Sequence, residues 1–270
     1  EKTRESIWAA LKARRTYAVT GDRILCDFKV NDSWMGSEIT ANNRKVRAHV
    51  ETEGTLDKII LYKNYKPVQI INGESFQEVN QEGCYKLRVE MGWGNSSLYR
   101  WNGSLQVEDG TIKDYNTYFR GRSVLAPSKD ETYDENDIND IETYSELKGE
   151  NELVWRCDTV GNKSTLHPST SSIVIKVQGS LNTKVTFTLN DKTYTATIGE
   201  LMNYGYTSHM EYYHSQAFKI FKALPETKYT FDLELEDNAP ENDCDYYHLE
   251  VAQKNRQWAY VSPVYVNREK

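Results

Sequence analysis

From Ile24 onward the apolar side chains fall on every second position, and that period restricts the chain to sheets with one buried face. Ile24, Cys26, Phe28 and Val30 alternate with Leu25, Asp27 and Lys29. Val46, Ala48 and Val50 oppose Arg47, His49 and Glu51, and Tyr85, Leu87, Val89 and Met91 oppose Lys86, Arg88 and Glu90. Parallel sheets covered by helices read as continuous apolar runs, so this alternation points to antiparallel sheets with one wet face. The second half repeats it with Ile173, Ile175 and Val177, then Val185, Phe187 and Leu189, a turn at Asn190 to Lys192, and Tyr194, Ala196 and Ile198. Tyr229, Phe231, Leu233 and Leu235 follow, and a last hairpin turns near Lys254 to Arg256. The expected fold class is all-β: an antiparallel β-sandwich, as one elaborate sandwich or two packed lobes, preceded by a single N-terminal helix.

That helix is the exception. Between Arg4 and Arg15, Ile7, Ala10 and Leu11 recur at helical spacing and Trp8 widens the stripe. Thr3 can cap its start, and Lys12, Arg14 and Arg15 suit the negative end of its dipole. With no helical neighbour to cover it, the stripe needs a partner. Gly199 to Gln216 shows neither period clearly; Glu200 to Tyr204 can form one helical turn within a long functional or packing loop.

The segment Asp130 to Glu150 gathers nine acids against Lys148 and reads as a loop or linker. The expected organisation is therefore 1–21 helix and hinge, 22–127 a first sandwich lobe, 128–150 the acidic linker, and 151–270 a second lobe. The formal charge of −7 argues against a nucleic-acid partner, which needs a basic face. No apolar run approaches the roughly 18 residues of a membrane span.

The candidate chemistry is sparse. His209 and His214 flank Glu211 in HMEYYH, but a metalloprotease helix places its histidines four apart with glutamate directly after the first. These three are weak metal candidates. His49 and Glu51 share a strand face with Arg47, which repels cations and favours a solvated polar face. Asp134, Asn136, Asp137 and Asp140 offer clustered oxygens for calcium without the glycine and glutamate of an EF-hand. Asp243, Asp245 and His248 place carboxylates beside an imidazole, as acid–base chemistry requires, although turn-forming aspartates explain them equally well. No nucleophile elbow or phosphate loop occurs.

Cys26, Cys84, Cys157 and Cys244 form no C-x-x-C pair, which argues against thiolate zinc. Burial is the expectation for them, and Cys157 with Cys244 is the disulfide to test. Trp93, Tyr99 and Trp101 lie among glycines and polar residues and are candidates for a glycan platform, since ring faces stack on pyranose rings, although core or sheet-edge packing is the commoner fate of aromatics in strands. Sequons at Asn31, Asn95, Asn102 and Asn162 hint at export to the periplasm or cell surface.

The segment RESIWAALKARRTYAVTGDRILCDFKVNDSWMGSEI resembles one found in a large bacterial family of PHP-like (polymerase and histidinol phosphatase type) metal-dependent hydrolases. YRWNGSLQVEDGTI (Tyr99 to Ile112) is similar to a W-[DN]-G-x-L-x-V segment of that family. DYYHLEVAQKNRQWAYVSPVYV (Asp245 to Val266) is similar to its terminus.

The resemblance implies an upstream metal-binding domain holding the divalent metal and the catalytic residues, none of which is expected in this chain. Residues 1–21 would then be that domain's closing helix and hinge. Arg15, Thr16, Tyr17, Thr20, Gly21, Asp22 and Arg23 would lie near its active site or form the hinge, with Gly21 serving backbone freedom and Asp22 and Arg23 pairing locally. Val19 departs from the family's usual threonine. The expected function is thus a non-catalytic accessory sandwich whose partner is the upstream hydrolase domain. The alternative is a carbohydrate-binding module.

Overall fold

The computed structural model describes residues 2–73, 81–93, 98–120, 143–159 and 170–269. It opens with α1 (Arg4–Lys12), where Thr3 Oγ1 accepts from the Ser6 amide at 3.2 Å and Ser6 Oγ accepts from the Thr3 amide at 3.2 Å. The helix stops three residues short of Arg15 because Arg14 turns left-handed at φ 54°, which lets the Arg15 amide close onto Ala10 O at 2.9 Å.

A first run of strands follows: β1 (Tyr17–Val19), β2 (Ile24–Val30), β3 (Ser33–Trp34), β4 (Glu38–Thr40), β5 (Arg44–Thr52), β6 (Leu56–Lys63) and β7 (Lys66–Asn72). A second run comprises β8 (Glu82–Trp93), β9 (Tyr99–Glu108), β10 (Thr111–Tyr118), β11 (Tyr144–Lys148), β12 (Glu152–Thr159), β13 (Ser171–Ser180), β14 (Lys184–Leu189) and β15 (Lys192–Thr197). It continues through α2 (Ile198–Asn203), β16 (Tyr206–His209), β17 (Ala217–Ile220) and β18 (Leu224–Pro225). The third run is β19 (Thr230–Asp237), β20 (Cys244–Gln253), β21 (Trp258–Val261) and β22 (Val264–Asn267).

These runs form two compact units nested in sequence: a split unit, Glu1–Val79 with Glu226–Lys270, and an inserted unit, Asn80–Pro225. The expected boundary at 128–150 therefore falls inside the inserted unit, and the lobes 22–127 and 151–270 each mix strands of both. The cause is long-range pairing, since β19 lies antiparallel to β5 and β20 antiparallel to β6. Composition marks a loop but does not say which strands meet.

The split unit is a sandwich of two sheets. The larger has seven strands, with β7 on β6, β6 on β20, and β21 and β22 sharing the other edge of β20. β1 adds to β21, and β4 runs parallel to β22. The smaller has the order β19-β5-β2-β3. Phe28, Val46 and Val50 from the smaller sheet share one core with Leu61, Leu249, Val251 and Val264 from the larger. Asn31 and Asp32 (φ 47° and 62°) and Asn64 and Tyr65 (φ 51° and 65°) supply the left-handed pairs that tight hairpins require.

The inserted unit is a second sandwich, of a sheet ordered β10-β13-β8-β17-β16 with β18 also on β8, and a sheet ordered β11-β12-β9-β14-β15. Its core joins Leu87, Val89 and Ile175 to Trp101, Leu105, Trp155 and Phe187. Trp155 lies cross-strand from Gly103, where any Cβ would overlap its indole. The cysteines are free. Cys157 is buried in the inserted unit's core while Cys244 is exposed on β20 of the split unit, so the pairing considered from sequence does not form. Burial pushes the Cys26 thiol up to about 12.

Candidate functional site

Residues 199–216, without clear period in sequence, form the end of α2, β16 and a tight turn, with Leu201 and Met210 in the core. Pairing puts His209, Ala217 and Trp93 in one row across β16, β17 and β8. Ser215 then staples the turn: its hydroxyl donates to Tyr212 O at 2.6 Å and accepts from the Glu211 amide at 3.0 Å. The staple leaves Tyr212, Tyr213 and His214 facing solvent. The Tyr213 ring lies 5.4 Å from His209 and 5.1 Å from His214. The structure thus brings His209 and His214 together around a tyrosine ring rather than around a shared vacant centre. Among the described residues no group of three or more His, Cys, Asp or Glu could hold a metal ion.

The sequence-derived platform does not assemble. Trp101 is fully buried, its Nε1 donating to Thr159 Oγ1 at 2.7 Å, and Tyr99 packs beside it at 4.8 Å. Only Trp93 keeps an open face, at 48 % exposure. Trp101 shares the inward parity of Gly103, Leu105 and Val107 on β9, and that alternation outweighs its polar sequence neighbours. Sequons Asn95 and Asn162 lie outside the described residues, as do Asp134, Asn136, Asp137 and Asp140 of the calcium candidate.

The segment expected to form a hinge is built into the larger sheet of the split unit. Tyr17 pairs with Val261, the Ser262 amide donates to Thr16 O at 3.3 Å, and Thr20 exchanges hydrogen bonds with Trp258 and Gln257. Asp22 accepts from Asn255 Nδ2 at 2.6 Å. Arg15 stacks over Trp34 at 5.5 Å, and Arg23 precedes β2. Gly21 is not left-handed; a Cβ there would instead crowd the end of the Gln257 side chain.

The parity of β20 also separates Asp243, Asp245 and His248. Asp243 is exposed, Asp245 points into the core, and His248 faces out. Asp245 meets Arg44 at 3.3 Å with both side chains fully buried, and it accepts from Asn64 Nδ2 at 2.7 Å and the Asn242 amide at 3.0 Å. Burial opposes its ionisation, but these hydrogen bonds hold its carboxyl below the usual range. Beside it Asp237 receives Lys63 Nζ and Tyr247 Oη, each at 2.6 Å, and is likewise held low against the cost of burial.

The outer faces of the split unit differ from each other. On the smaller sheet, Asp27, His49 and Asp232 form one cross-strand row and Lys29, Arg47 and Glu234 the next. His49 Nδ1 sits 2.7 Å from Asp232, and Arg47 reaches Asp32 at 2.8 Å and Glu234 at 3.2 Å. These residues line an open groove of about 320 Å³ in which Asp27, Asp32, Asp232 and Glu234 face Lys29, Arg47 and His49.

On the larger sheet the outward positions are aromatic. Tyr62 and His248 stack at 4.7 Å with planes 1° apart, and Trp258 and Tyr260 lie 5.9 Å apart with planes 11° apart. Tyr65, Tyr246 and Tyr265 extend the array. Glu250 stands among them, in register with Ile60 and Tyr260 and 3.9 Å from His248. Burial and the charge of Glu250 push the Tyr62 phenol up. Burial lowers the His248 pKa against the pull of Glu250, which favours the neutral ring.

The sequence reading missed this face, although its signal is present: the outward parity of β20 spells Tyr246, His248, Glu250, and that of β21 spells Trp258, Tyr260. No protein-family model and no curated protein matches the chain.

Proposed function

We propose that this double sandwich is a non-catalytic accessory region of a PHP-like metal-dependent hydrolase, with α1 as the element that seats it against the hydrolase domain. The observation carrying this reading is the surface of α1, where Ile7, Trp8 and Leu11 are each more than half exposed and no residue is buried. A nine-residue helix has little stability of its own in water, and an apolar stripe of this size favours a partner. The sequence resemblance at residues 4–39 supplies the kind of partner. On this reading divalent-metal chemistry belongs to that partner, and no catalytic step is assigned to the described residues.

The test pairs metal content and a broad hydrolase screen on this protein with the same measurements on a chain extended upstream of Glu1. Activity in the longer chain alone, weakened by Trp8→Glu, supports the reading. Stoichiometric metal and hydrolysis by the 270-residue protein overturn it.

A further inference from the structure

We propose that the outer face of the larger sheet in the split unit is a carbohydrate-binding platform. Neutral sugars would lie across Trp258 and Tyr260, with their hydroxyls reaching Glu250, His248 and Lys58. The site is distinct from α1 and does not rest on the accessory reading.

Three observations point to this ligand class. Tyr260 is 45 % exposed and nearly parallel to the part-exposed Trp258, over whose ring Lys58 lies. Such ring faces attract the C–H faces of a pyranose while their polar edges stay wet. Trp258 and Tyr260 stand two positions apart on β21 with ring centroids 5.9 Å apart, so one extended ligand can span both.

The second observation is Glu250, a carboxylate inside the aromatic array, opposite Tyr260 on β21 and Ile60 on β6. An apolar protein surface docking here would strip water from that charge without replacing it. A pair of vicinal sugar hydroxyls can donate to it. The third is charge balance: Lys58 Nζ lies 5.0 Å over the Trp258 ring and offsets Glu250. The face thus gives a charged polymer little attraction and offers both a donor and an acceptor to a neutral one.

The experiment is calorimetric titration of the whole protein with cellohexaose, laminarihexaose, xylohexaose, mannohexaose and chitohexaose, each to about 10 mM, a range that captures weak millimolar binding. Wild type is compared with Tyr260→Ala, Trp258→Ala and, as a control on the inserted unit, Tyr213→Ala, with thermal melts verifying that each remains folded. Tyr260→Ala keeps folding testable because its side chain is the more exposed of the pair. The expected result is binding to at least one hexasaccharide, weakened at least about tenfold by Tyr260→Ala and unchanged by Tyr213→Ala, as loss of a central aromatic anchor requires. No binding to any of the five overturns the proposal. So does binding indifferent to Tyr260→Ala or abolished by Tyr213→Ala, or a sugar-indifferent dimer that Tyr260→Ala disperses.

Discussion

The two outer faces of the split unit stand on one core and obey the same alternation, yet they carry opposite chemistry. The smaller sheet exposes two charged rows, Asp27–His49–Asp232 and Lys29–Arg47–Glu234, in which the acids of β19 pair with His49 and Arg47 of β5. The larger exposes Tyr62, His248, Trp258 and Tyr260. Water alone does not explain the second face, since the first shows how this chain builds a solvated one. The inference is that charge ladders mark where the sandwich ends, and aromatic rows mark where it meets something.

The largest perturbation removes what both faces share. Arg44 belongs to the smaller sheet and Asp245 to the larger, so their buried pair ties the two together. Asp245→Ala strands the guanidinium and should cost about 3–5 kcal/mol in a urea melt. A loss under about 1 kcal/mol would show that the faces do not depend on a common tie.

Next comes a control in the other sandwich. Gly103→Ala forces a methyl into the Trp155 indole and should cost about 1–3 kcal/mol by overpacking. Tryptophan fluorescence would report it, and sugar binding at Tyr260 should survive.

Acid should act on the shared core with a definite sign. Asp237 and Asp245 have folded pKa values below their unfolded ones, so their stabilisation is complete above about pH 4 and is lost as pH falls through the folded values. Thermal melts from pH 7 to 3 should show this loss, and Asp245→Asn should flatten part of it.

The smallest effects separate the faces themselves. Arg47→Ala breaks exposed pairs with Asp32 and Glu234 and should cost about 0.5 kcal/mol, vanishing in high salt. Tyr260→Ala should change stability as little but be insensitive to salt. If Tyr260→Ala instead unfolds the protein, the aromatic face is a piece of the core and the contrast between the faces collapses.

Some of this was readable in residues alone. Alternation along 24–30 and 46–50 fixes which side chains are buried, and the cap at Thr3 and the hairpin at Asn190 follow from local chemistry. Those features depend on neighbours within a few positions, where side-chain parity and turn preference are decisive.

The candidate site was far less legible. Trp93, Tyr99 and Trp101 look alike in sequence, and only the packing of Trp101 over the inserted core tells them apart. Tyr62, His248 and Tyr260 are scattered along the chain and become one surface only when β20 pairs with β6 on one side and β21 on the other. The same pairing inserts the sequence of one sandwich within that of the other, against the boundary that composition marks. The sequence by itself determined the strands whose side chains alternate cleanly, such as 24–30, 46–50 and 85–91, with their buried faces, and the helix without a cover. Which strands meet, and therefore which outward residues share a surface, was decided by tertiary structure, because long-range pairing is chosen by the fit of whole cores rather than by any local pattern.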